Sequence, residues 1–402
     1  MTSETPKTLS WRMEGAVYAT AFFSHFVSRT AAIIVPLWVV LFEPSALLIG
    51  IALGSFNFLP LWLSIPGGAL MDRLGARGLM MVFALAGAGA SLLYPFFPWL
   101  VPLIALQLFV GFSVSMTWIG SQTLLGEMMK GSPIHAGRLA VSSHVGAFVG
   151  PPAAGWAWDY FGPWGGFLSI VLSFLGVFLA VYLFLPAAPD QEKNKSVFKR
   201  SDLVPKLSDY RAALFLLTAP AIFLVVVGSM LDTAGIGIRS SFYVIWLKDA
   251  GYSATLIGIL LSTSNVLAAF GTLCAGPVTR FFKAHWVVLT SVGGGIALIS
   301  ITPLLGSYTL LLIVALLMGG IRGLGHPLFL SMVSEAAGRD AQGKAVGLRI
   351  TANRLVGTLT PVVMGAVSEA LGLAASFYVI GGALLLVIAF LIVQMRRSPV
   401  VL

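Results

Sequence analysis

The sequence predicts an all-α membrane protein with twelve membrane-spanning helices in two pseudo-symmetric six-helix bundles. Three observations carry that prediction. Of 402 residues, 58% are hydrophobic and only 10% are charged, too little charge to cover a water-facing surface of this size. Apolar runs of 20 or more residues recur from end to end, each long enough to cross about 30 Å of hydrocarbon as a helix. The first half also returns in the second. Leu48-Ile49-Gly50 reappears as Leu256-Ile257-Gly258, Asn57 as Asn265 and Glu127 as Glu335, all at a shift of 208. Pro151, Gly155, Asp159 and Gly162 reappear as Pro361, Gly365, Glu369 and Gly372 at a shift of 210.

Taken in order, the apolar runs place helices at 15–42, 46–70, 78–96, 99–126, 138–160 and 164–184, then at 214–247, 253–279, 286–305, 308–332, 343–367 and 375–395. The first run lacks a small-residue cleavage pattern and is too long for a signal peptide. The one long polar stretch, Pro186 to Tyr210, reads as a linker on the membrane surface. The expected organisation is a bundle at 1–185, a cytoplasmic linker at 186–211 and a second bundle at 212–402, with no soluble domain before, within or after them.

The net charge of +9 follows the loops. Eighteen of the 24 Lys and Arg residues, among them Lys7, Arg73, Arg77, Lys195, Lys283 and Arg396, fall on one side, and only Lys248 falls on the other. This bias predicts a multi-pass protein of the cell inner membrane with both termini cytoplasmic. It also removes the basic balance as a sign of nucleic acid. Cys274 is the only cysteine and lies in an apolar run, so neither a disulfide nor a cysteine metal site is expected. No metal-ligand cluster, phosphate loop or nucleophile triad stands in the sequence. The chain is therefore expected to be no enzyme, to carry no cofactor, and to work as a monomer in the lipid bilayer.

The loop after the second helix reads Gly68-Ala69-Leu70-Met71-Asp72-Arg73-Leu74-Gly75-Ala76-Arg77. It resembles the signature G-x-x-x-D-R-x-G-R-R/K of the major facilitator superfamily, departing mainly at Ala76. In that family the acid meets the N-terminus of the eleventh helix and latches one conformation. The resemblance implies the same conformational role for Gly68, Asp72, Arg73, Gly75 and Arg77. The fifth helix holds Gly146-Ala147-Phe148-Val149-Gly150-Pro151-Pro152-Ala153-Ala154-Gly155. It resembles the family's antiporter motif, g-x-x-x-G-P-x-x-x-G, associated with exporters. Physically, Gly146, Gly150 and Gly155 permit close helix approach and Pro151 bends the helix. One family feature is missing: proton-coupled drug antiporters carry an arginine four residues before a glycine in the fourth helix, and here Gln107 stands four before Gly111. What the resemblance implies is a secondary transporter, and internal duplication around a midplane site is the general plan of such proteins.

Five arginines lie inside the apolar runs: Arg29, Arg239, Arg322, Arg349 and Arg354. Each would cost about 3 kcal/mol on insertion scales if it faced lipid at the bilayer centre. Arg349 is near its helix start and is expected to snorkel to the interface. The other four are expected to face a polar cavity. Arg29 and Arg239 occupy nearly equivalent places in the repeat and resemble the arginine pair that grips phosphate in organophosphate:phosphate antiporters. Guanidinium forks suit carboxylate or phosphate. The expected solute is therefore a small organic anion, held by Arg29, Arg239, Arg322 and Arg354, with Trp118 walling the cavity.

Asp232 is the sole carboxylate at this depth and the expected proton carrier, leaning on Arg239 two helical turns away. His25, His144 and His326 are further proton-coupling candidates. His25 shares a helix face with Arg29, and Arg322 shares one with His326. His144 occupies the repeat position of Arg354. Asn57 and Asn265 are expected to bond between helices. Two other readings compete. A multidrug/proton antiporter for amphiphilic compounds would show carboxylates and few arginines, the reverse of this pattern. A non-transporting receptor or assembly factor on the same fold would carry long extramembrane extensions.

Overall fold

The computed structural model describes residues 10–129, 132–185 and 214–397, apart from the side chains of residues 72, 133, 330 and 334–343. The linker expected at 186–211 lies outside the described residues. The first helices are α1 (Trp11–Val40), α2 (Ala46–Leu74), α3 (Ala76–Leu93) and α4 (Leu100–Met129). Helical backbone then runs from Pro133 to Phe184, 52 residues. That is about 78 Å of helix, more than twice a hydrocarbon core. Gly162, at φ 63° and ψ −155°, breaks it into α5 (133–161) and α6 (163–184). Only glycine adopts that backbone without strain, and Pro163 behind it suits the first turn of a new helix.

The second half supplies α7 (Pro220–Asp249), α8 (Ala254–Thr279), α9 (Ala284–Ser300), α10 (Tyr308–Val333), α11 (Lys344–Leu371) and α12 (Leu373–Arg397). Two departures from the sequence expectation stand out. Helical backbone bridges α10 and α11 through residues 334–343, where a loop is expected, making one run of 64 residues from Tyr308 to Leu371. The helix expected at 214–247 is interrupted instead of continuous. It opens with a 3-10 turn at Leu216–Thr218, restarts at Pro220 and breaks at Ser240 and Ser241. At that break the Ser241 hydroxyl donates to the Gly237 carbonyl at 2.6 Å, a local bond that competes with the helix ladder. Arg239 sits on the break.

Counted this way, the described residues make twelve crossings, and an even number returns Trp11 and Arg397 to one face. We call the opposite side the far face. The repeat seen in the sequence recurs in the packing. A Cβ on Gly50 of α2 would lie 2.2 Å from the Pro361 carbonyl oxygen of α11, and one on Gly258 of α8 would lie 2.3 Å from that of Pro151 on α5. Gly111 meets Phe56 as Gly319 meets Ser264, each partner 208 residues on from its counterpart. Glycine at these seams lets backbones touch.

The buried apolar side chains divide accordingly. One cluster joins the first bundle to the far-face part of the second, through Tyr243, Leu247, Ile257 and Met364. A second cluster, with Leu224, Val288, Phe329 and Met395, belongs to the second bundle alone. The bundles are closed against each other at the far face.

Candidate functional site

Between the bundles lie two adjoining cavities of about 280 Å³ each. They share the wall residues Arg29, Ala32, Ile236 and Ser240, so they are two lobes around one guanidinium. Lobe A is lined by Asn57, Gln107, Asn353 and Arg354 among others. Lobe B is lined by His25, His144, Arg239, Asn265, Arg322 and His326. Helices α1 and α7 face both lobes, and the four arginines expected at a cavity and the three candidate histidines all line one lobe or both. Trp118 stands one layer back, edge-on to His25 with ring centroids 4.3 Å apart.

The four arginines differ in what holds them. Arg322 makes a two-pronged pair with Asp232, Nε to Oδ1 at 2.8 Å and Nη2 to Oδ2 at 3.1 Å. This corrects the expected contact between Asp232 and Arg239. Residues seven apart on one helix stay about 10 Å apart along its axis, whereas α10 brings Arg322 directly beside α7. Arg239 donates instead to the Leu261 backbone carbonyl of α8. Arg354 crosses between the bundles, with Nη1 donating to Asn57 Oδ1 at 3.0 Å and Nη2 reaching Ser115 Oγ at 3.5 Å. Arg29 has its Nε buried and unbonded, and its guanidinium has no hydrogen bond or ion pair among the described residues. Arg349 is half-buried with its Nε enclosed and unbonded, where snorkelling is expected.

Asn57 and Asn265 bond across the bundles as expected, to the Gly357 and Ala147 carbonyls, both at 3.4 Å. Of the fifth-helix motif, a Cβ on Gly146 would meet the Phe22 carbonyl of α1 at 2.1 Å, and one on Gly155 would meet the Ala254 carbonyl of α8 at 2.2 Å. Gly150 approaches Phe26 more loosely, at 3.1 Å. In the loop after α2, Gly75 takes φ 91° and closes the helix through its N–H to the Met71 carbonyl at 2.8 Å. Arg77 donates to the Tyr182 carbonyl at 3.4 Å, Arg73 is exposed in the last turn, and Gly68 faces Ile119 of α4. The Asp72 side chain lies outside the described residues.

Two carboxylates that the sequence marks only as repeat positions hold the far face. Asp159 at the end of α5 accepts from the Ala254 N–H at 3.0 Å, the Thr255 N–H at 2.8 Å and the Thr255 hydroxyl at 2.6 Å. Glu369 at the end of α11 accepts from the Leu47 N–H at 2.9 Å. Each thus caps the first turn of a helix in the other bundle, where free N–H groups and the helix dipole favour negative charge. The sequence does hold a signal for them: an acid kept through the internal repeat, three residues before a turn glycine. Gln107 stands in the sequence only as a missing arginine, yet it lines lobe A and accepts the Tyr94 hydroxyl at 2.9 Å. The described residues contain no group of three or more His, Cys, Asp or Glu side chains placed to hold a metal.

The profile of the Major Facilitator Superfamily matches residues 17–243 and 222–401. Among solved structures, the chain is similar to a point variant of the nucleoside transporter NupG, with TM-score 0.77 and 16% identity over 95% of this chain and 99% of that one. It is similar to NupG itself with TM-score 0.73 and 15% identity, covering 96% and 99%. A bacterial homologue of the human lysosomal transporter Spinster, in an inward-facing and unoccupied conformation, matches with TM-score 0.67 and 15% identity over 96% of each chain. No curated protein sequence matches the chain. At these identities the structural likeness speaks for the fold, and the profile spanning nearly all of the described residues speaks for descent: the chain belongs to the major facilitator superfamily and is a membrane transporter, not an enzyme.

Proposed function

We propose that this transporter moves a small organic anion by alternating access, coupled to protons. The observation that carries the reading is Arg29. It is the wall common to both lobes and has no partner of its own among the described residues. A guanidinium held at membrane depth without an anion is costly, and an anionic ligand would repair that. Arg239, bound only to a carbonyl, faces the same lobe from the other bundle. An anion bridging the two would draw the bundles together. The bundles that move are 1–185 and 212–402, in an inner membrane with both termini cytoplasmic, and the working unit is a monomer.

Asp232 is the proton carrier of this scheme. It rests on Arg322, which also lines lobe B. An anion arriving there competes for Arg322, and a carboxylate that loses its cation in a low-dielectric site binds a proton more readily. His25, His144 and His326 line the same lobe and supply further titrating groups. Amphiphilic cations suit the cavity poorly, because the one acid bordering it among the described residues is already paired.

A thermal-shift screen of the purified protein against organic anions and cationic drugs tests the reading, since a ligand that binds only the folded state raises its stability. Stabilisation by anions, lost in Arg29→Gln, is the expected result. Stabilisation by cations alone would overturn it.

A further inference from the structure

The structure carries an inference about the solute's charge that rests on the anion reading above: we infer that the transported solute bears two separated anionic groups, one seated in each lobe. Lobe B offers Arg29 and Arg239. Lobe A offers Arg29 and Arg354. The charge arrangement leads there. Asp232 is spent on Arg322, and the other three guanidinium groups have neutral partners or none among the described residues: a carbonyl for Arg239, an amide and a hydroxyl for Arg354, nothing for Arg29. A single monoanion would leave two of the three uncompensated in a low-dielectric site. Their distribution matters as much as their number. Arg354 belongs to lobe A alone and Arg239 to lobe B alone, so one compact anion does not reach both.

Lobe A is built to receive an acid. The Gln107 amide oxygen is occupied by the Tyr94 hydroxyl, which leaves its NH₂ as a donor on the cavity wall. Asn57 orients Arg354 through Oδ1 while its own NH₂ is anchored to the Gly357 carbonyl. The lobe thus presents a guanidinium and an amide donor beside the shared Arg29, with no carboxylate on its wall among the described residues. Carboxylate and phosphate both fit such donors. A phosphate monoester, however, concentrates two charges on one group, and that distinguishes it from a solute with an acid at each end.

Competition of α,ω-dicarboxylates, monocarboxylates of equal length and alkyl phosphates for transport in proteoliposomes tests the inference. The expected result is that a dicarboxylate of the fitting length competes at least tenfold better than its monocarboxylate. Arg354→Gln should remove that advantage, so that the dicarboxylate and its monocarboxylate compete within about twofold of each other. Gln107→Leu, which leaves the arginines in place, should reduce the advantage severalfold and serves if the arginine variant does not fold. Equal competition by mono- and dicarboxylates would overturn the inference, as would an alkyl phosphate that competes as well as the dicarboxylate and is indifferent to Arg354→Gln. Competition by none of the three would instead overturn the anion reading itself.

Discussion

Lobe A, around Asn57, Gly357 and Pro361, corresponds in the internal repeat to lobe B, around Asn265, Ala147 and Pro151, yet Arg354 stands in the first where His144 stands in the second. The close backbone approaches between bundles recur in both. Gly50 meets Pro361 as Gly258 meets Pro151, and Glu369 caps α2 as Asp159 caps α8. The chemistry does not. Lobe A carries a permanently charged arginine among amides. Lobe B carries three histidines besides Arg239 and Arg322, and Arg322 pairs with Asp232; the repeat positions of that pair in the first half, Val114 and Phe22, are apolar. The glycine contacts leave no room for a larger residue in either half. Side chains on a cavity wall are free to diverge, and here titratable groups gathered on one side.

The comparison can be broken at the shared seams first. Gly50→Leu and Gly258→Leu should each abolish transport, because the new Cβ would meet a carbonyl oxygen at little more than 2 Å and hold the far face open. Solute binding to the purified variants should persist. If either variant transports normally, the two seams are not equivalent parts of one closing motion.

The next largest effect is expected on the side that carries the acid. Asp232→Asn should abolish uphill, proton-driven uptake in proteoliposomes while sparing exchange of solute across the membrane. An Asn variant that still concentrates solute would place the proton elsewhere, with the lobe B histidines next to be tested.

The smallest effects should come from the caps, and they should be unequal. Asp159 accepts three hydrogen bonds and Glu369 one. With about 1 kcal/mol for a cap lost to alanine, Asp159→Ala should shift the population of far-face-closed molecules about fivefold, and Glu369→Ala by less. Distances between spin labels on the far-face ends of α5 and α8, and of α2 and α11, would measure both. Equal shifts would mean that bond count does not govern the latch.

How much of this is legible in the sequence depends on the distance over which the determinants act. Twelve spans, two bundles and the cavity-facing arginines follow from local hydropathy and from charges that lipid would not accept, so Arg29, Arg239, Arg322 and Arg354 are evident from the sequence alone. Their partners on other helices are not. Asp232 and Arg239 share a helix, which makes them a natural pair by spacing, whereas the pairing with Arg322 depends on how α10 packs beside α7. The break of α7 at Ser240 and Ser241 and the helical bridge at 334–343 are equally hidden, since local hydrogen bonding decides them and hydropathy is silent there. The caps at Asp159 and Glu369 fall between these cases: the repeat marks the residues, and only the packing of opposite bundles gives them a task.

The claim on which the rest depends is that Arg29 awaits an anion, and titration of the purified protein with the best anion from the stability screen tests it most directly. Arg29→Lys keeps the positive charge and loses the planar fork. Truncating one side of a desolvated charge pair costs about 2–5 kcal/mol, and the lysine variant should fall toward the lower end, with the dissociation constant weakened at least tenfold. Arg29→Lys binding that anion with unchanged affinity would contradict the account.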